Sequence, residues 1–238
     1  MIKFFRHIRK SLIQKNQMGK YLKYAIGEIL LVVIGILLAL QINNWNEHKK
    51  EKAFEKEILE QIRANLIKDK ITLEEINANY KNSLRSSAKI LNSNWNQQDQ
   101  DSLKYWLGHI IQFDRFQPLT NAYEVAKSKG LDLISNKQLR FLLGSYYDDE
   151  VSRISRSIND IENSFSRDWV PILEKSSKEF KFKHFVELKD PLFFSKPSRE
   201  KNILKINRDN FRGTSENVTK IVKSIDRIQQ LINQELNH

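Results

Sequence analysis

From Ile29 to Leu40 the chain carries no polar side chain, and the wider run from Ala25 to Ile42 holds one charge, Glu28, and one amide, Gln41. A core helix of that length normally shows a polar face. This one shows none, so the pattern predicts a membrane-spanning helix rather than a buried one. At about 1.5 Å per residue the run reaches roughly 27 Å, close to a hydrocarbon thickness of about 30 Å. Tyr21 and Tyr24 precede it and Trp45 follows it, where aromatic belts sit. A cleaved signal peptide would need small residues just before the cut. Ala39-Leu40-Gln41 and the following Ile42-Asn43-Asn44-Trp45 offer no fitting site, so an uncleaved signal-anchor over residues 25–45 is expected.

After Trp45 the period changes to a helical stripe. Phe54, Ile58, Ile62, Leu66, Leu73, Ile76, Tyr80, Leu84 and Leu91 predict one long helix over about 47–91, with Lys70 interrupting the stripe and suggesting a kink or a change of partner. Nothing marks a linker, so span and helix can run on as one rod. Residues 92–101 read as a loop, followed by a short helix over 102–113. Asn121 with Glu124, and Ser135 with Gln138, look like capping boxes on either side of a turn at Gly130. Leu139, Leu143, Tyr147, Val151, Ile154, Ile158, Ile161, Phe165 and Trp169 predict a helix over 136–169 that Pro171 ends or kinks. Residues 174–197 are irregular, with a short strand near Phe180 and Phe182. Ser198 is expected to cap a helix to Phe211, Arg212-Gly213 to close it, and Thr214 or Ser215 to open a last helix. The fold class expected is therefore all-α: an N-terminal single transmembrane helix followed by an elongated antiparallel helical bundle.

Charge orients the span. Residues 1–24 contain seven Lys or Arg and no acid, against four Lys in the window after the span, which are interleaved with Glu47, Glu51, Glu55 and Glu57. The positive-inside rule then places residues 1–24 in the cytoplasm and residues 46–238 in the periplasm, with the anchor in the inner membrane. Ile2, Phe5, Ile8 and Leu12 oppose Lys3, Arg6, Arg9 and Lys10, which predicts a basic amphipathic helix on the lipid surface; a disordered basic tail is the plainer alternative. The net charge of +11 suggests nucleic acid until it is divided: residues 46–238 carry only +5, mixed with acids, so no nucleic-acid partner is expected. The chain has no cysteine, which excludes disulfides and thiol chemistry.

The opening, MIKFFRHIRKSLIQ followed by GKYLKYAIGEILLVVIGILLALQINNWNE, resembles that of a family of uncharacterised single-span membrane proteins, a domain of unknown function common in flavobacteria and their relatives. The stretch AYEVAKSKGLDLISNKQLRFLLGSYY, residues 122–147, is similar to the family's second recurring block. The resemblance implies an inner-membrane protein with a periplasmic helical domain, and no activity.

Catalytic and metal motifs are not evident. The histidines His7, His48, His109, His184 and His238 form no metal-binding pair, and His109 reads as a packing or surface residue on a helix side. Asp148-Asp149-Glu150 reads as a solvated acidic turn, since consecutive helix residues point apart. No enzyme activity, cofactor or metal is expected. Tyr123, Asn136, Arg140, Tyr146 and Tyr147 combine aromatic faces with amide and guanidinium donors around the Gly130 turn; they suggest a ligand or partner pocket, or simply a packed helical corner. In the span, Glu28, Val32, Gly35 and Ala39 share one stripe, suited to close approach of a second helix. The expectation is a membrane-anchored scaffold or accessory subunit, its partners being lipid and either a second copy or another membrane protein. The alternative is a periplasmic small-molecule sensing module that signals through a partner.

Overall fold

The computed structural model describes residues 18–92, 97–190 and 192–237. The lipid-surface candidates Lys3, Arg6, Arg9 and Lys10 lie outside the described residues. The described chain is mostly helical, and it divides into two compact units, Met1–Phe54 and Glu55–His238.

The first unit is the leading part of helix α1, Met18–Asn92. Its apolar stretch is bare on every side: Ile29 is 63% exposed, Val33 44% and Leu37 58%. It is long and apolar enough to cross a membrane, and among the described residues nothing buries it.

In the second unit α1 is amphipathic. Ile58, Ile62, Leu66, Leu73, Ile76 and Tyr80 are buried, as the stripe predicts. The polar residue that takes the missing step between Leu66 and Leu73 on this face is Asp69, 2% exposed, not Lys70. Lys70 points aside and pairs with Asp226 at 2.6 Å, so the helix passes it unbroken.

Helix α2 covers Gln97–Ile110 and α3 covers Asn121–Lys129. The capping boxes are not formed as expected. Thr120 stands at the N-cap of α3, while the Asn121 side chain accepts a hydrogen bond from Asn65 at 2.8 Å. Gly130 ends α3 with φ of 105°, a conformation that suits glycine, and a short 3-10 turn, Leu131–Leu133, follows. Asn136, not Ser135, caps the next helix by accepting from the Leu139 N–H at 2.9 Å. The Ser135 N–H and hydroxyl both go to Glu55 instead.

The following helical run consists of α4, Lys137–Gly144, α5, Val151–Ser164, and α6, Val170–Ser176, joined by two segments with i→i+5 bonding, Ser145–Glu150 and Phe165–Trp169. Both segments fall within runs of four-residue steps in the apolar stripe. Each four-residue step overshoots a 100° helix by about 40°, so the three steps from Leu139 to Val151 drift by about 120°. A wider i→i+5 turn takes up an extra residue and returns the stripe to the core. The steps Ile161, Phe165, Trp169 repeat the device. Pro171 does not stop the chain: it stands at the start of α6, directly after the i→i+5 segment Phe165–Trp169.

One correction to the all-α expectation follows. Strands β1, Ser177–Lys181, and β2, Phe185–Leu188, pair antiparallel, with Phe180 opposite Val186. Lys183 in the turn has φ of 64°, and its ammonium reaches the buried Asp114 carboxylate at 2.5 Å. The hairpin lies on α2: a Cβ on Gly108 would sit 2.2 Å from the His184 carbonyl oxygen, so only glycine allows the approach.

The final helix, α7, runs Arg199–Leu236 without a break. Ser198 caps it as expected, accepting from Lys201 N–H at 3.1 Å. Gly213 does not close it, however, and Thr214 and Ser215 do not open another. Both hydroxyls are buried; Thr214 donates to the Ser157 carbonyl in α5 at 3.3 Å and Ser215 to Asn77 in α1 at 2.6 Å. Tertiary anchors on both sides hold the glycine inside a helix that local preference would end. Pairs Arg63–Asn233, Lys70–Asp226 and Asn77–Thr219 advance along α1 as they recede along α7, so the two helices run antiparallel.

Candidate functional site

The i→i+5 segment Ser145–Glu150 aims two adjacent aromatic side chains at different neighbours. Tyr146, with no exposed surface, donates its hydroxyl to Asp69 Oδ2 of α1 at 3.1 Å. Tyr147 stacks on Tyr123 of α3, ring centroids 4.4 Å apart and planes 10° from parallel, and meets Tyr146 edge-on at 4.8 Å. Tyr123 donates to Asp148 Oδ2 at 2.9 Å, and Lys127 holds the other oxygen at 2.8 Å. The acidic turn is therefore divided: Asp148 secures α3, Asp149 pairs with Arg153, and Glu150 accepts from Ser145 within the same segment.

Asp69 is the centre of this block. The Leu119 N–H donates to its Oδ1 at 3.1 Å. Burial pushes the carboxyl above its ordinary value of 3.8, and the Leu119 and Tyr146 donors pull it back part of the way. Burial likewise drives the hydroxyls of Tyr123, Tyr146 and Tyr147 far above the usual phenol range. The hydrogen bond from Lys127, with that of Tyr123, holds Asp148 below its ordinary value. The Tyr147 hydroxyl is buried with no hydrogen-bond partner.

Of the five residues singled out around the Gly130 turn, the structure brings together Tyr123, Tyr146 and Tyr147. They are buried and pack on one another, Tyr147 against both of the others. Asn136 serves elsewhere, capping α4 and donating to Glu235 at 2.7 Å. Arg140 is half-buried and belongs to none of these bonds. Sequence reasoning missed Asp69. Its one signal was the seven-residue gap in the apolar stripe between Leu66 and Leu73, where position 69 divides the gap into steps of three and four. In the first unit Glu28, Val32, Gly35 and Ala39 lie along one helix face, and a Cβ on Gly35 would meet nothing.

Chemically, the tyrosine block can store or release a proton at Asp69 and fasten three helices. Among the described residues, no group of three or more His, Cys, Asp or Glu side chains is arranged to hold a metal ion. No curated protein and no solved structure matches the chain. Residues 28–164, which include the bare apolar stretch of α1, Asp69 and the whole tyrosine block, match DUF6090, a family of unknown function, and the chain belongs to that family.

Proposed function

We propose that this chain is a membrane-anchored helical scaffold or accessory subunit of a membrane complex, without catalysis of its own. In this reading residues 1–24 lie on the cytoplasmic lipid surface and residues 25–45 cross the inner membrane once. Residues 46–238 form an antiparallel helical bundle in the periplasm. The observation that carries the proposal is the bare apolar stretch of α1. A helix apolar all round cannot stand in water, and lipid or a partner helix must cover it. The filled tyrosine block supports the scaffold over a sensing module at that corner, because Tyr123, Tyr146 and Tyr147 spend their faces on one another. The partner is either a second copy or another membrane protein, meeting the stripe of Glu28, Val32, Gly35 and Ala39.

Extraction from native membranes in mild detergent, followed by native mass spectrometry, tests the proposal. The expected result is an assembly heavier than one chain, diminished by Gly35→Ile and unchanged by Val33→Ile on the opposite face. A single chain under all mild conditions contradicts it.

A further inference from the structure

A groove of about 370 Å³ opens between α1 and α2, away from the tyrosine block. Arg85, Lys89 and His109 line it together with Ser86 and Trp106, and no carboxylate does. We propose that this groove binds a small organic anion, a phosphate or carboxylate group attached to a flat apolar part.

The donors are already set. Lys89 rests its ammonium over the Trp106 ring, 5.4 Å from the centroid, which fixes a cation beside an aromatic wall. Arg85 is steadied by the Asn82 side chain. His109 Nδ1 lies 3.0 Å from the buried Ser86 hydroxyl. With Ser86 donating, the neutral ring keeps its proton on Nε2, a donor that none of these internal bonds uses. Burial, then Lys89 and Arg85, holds His109 below its ordinary value of 6.5, so the two cations already set a positive potential at the ring. An anion in the groove would be met by a guanidinium fork, an ammonium and an imidazole N–H, with Trp106 against its flat part. The groove does not depend on the scaffold reading: it can fail with the assembly intact, and the assembly can fail with the groove intact.

The test uses the full chain in phosphatidylcholine nanodiscs with phenyl phosphate as probe. The His109 imidazole is followed by long-range ¹H–¹⁵N correlation and assigned by its loss in His109→Gln. The expected result is a saturable shift of the His109 signals with a rise in its pKa, weaker with inorganic phosphate and absent with phenol. Arg85→Gln or Lys89→Gln should weaken binding by about tenfold. Lys68→Gln, an exposed cation elsewhere on α1, should leave it unchanged. Nanodiscs containing phosphatidylglycerol, without phenyl phosphate, form the second arm. A His109 shift there assigns the same anion chemistry to a lipid headgroup. No shift in either arm, or equal shifts in wild type and both groove variants, overturns the proposal.

Discussion

Asp69 is a carboxylate held almost out of water, and its environment makes a pH-dependent statement about stability. Its folded pKa is raised above 3.8, so the native state holds its proton more tightly than the unfolded chain does. Stability from this group is therefore present at low pH and is lost as pH rises from 3.8 through the higher folded value. Asp69→Asn keeps an oxygen for the Leu119 N–H and removes that loss. The difference between the denaturant midpoints of wild type and Asp69→Asn should shift in favour of the variant as pH rises across this window, then level off. A constant difference would mean that Asp69 titrates as an ordinary carboxylate. The neighbouring tyrosines separate in the same assay. Tyr147→Phe deletes a buried hydroxyl that has no partner, so it should leave stability unchanged or raise it by about 1 kcal/mol. Tyr146→Phe removes a donor to a buried carboxylate and should cost about 1.5–3 kcal/mol. Equal losses from both would contradict the hydrogen-bond assignment.

At the scale of elements, two glycines behave oppositely. Gly213 sits inside α7, and a Cβ there would meet nothing, so Gly213→Ala should stabilise by about 0.5–1 kcal/mol. Gly108→Ala drives a methyl into the His184 carbonyl and should release the β1–β2 hairpin from α2, seen as faster amide exchange in Phe185–Leu188. These two positions also show what was legible in the sequence. Apolar stripes at 3,4 spacing revealed the helical segments of α1, of the run from Lys137 and of α7, but not that α7 is continuous, nor the two i→i+5 turns. Arg212-Gly213-Thr214 read as an end and a start because both signals are local, whereas Ser157 and Asn77, which hold the helix through that point, are distant in the chain. The tyrosine cluster was visible as composition near one turn. Asp69 was not, because a lone acid in a stripe gains meaning only from Leu119 and Tyr146, which folding brings to it.

At the scale of the molecule, the proposal is an anchor and a folded unit on opposite terms with water. Among the described residues the apolar stretch of α1 is exposed, whereas the second unit buries its apolar stripes internally. Membership of DUF6090 covers the apolar stretch and the tyrosine block together, so the family region joins both units. The proposed orientation rests on seven Lys and Arg before the apolar stretch against four after it. The most direct test fuses topology reporters after His238 in the full chain. An alkaline phosphatase, active only outside the cytoplasm, should be fully active and pellet with the membrane, while a reporter active only in the cytoplasm should be silent. A bright cytoplasmic reporter with inactive phosphatase, or phosphatase activity released into the soluble fraction, would contradict the membrane-anchored, outward-facing scaffold.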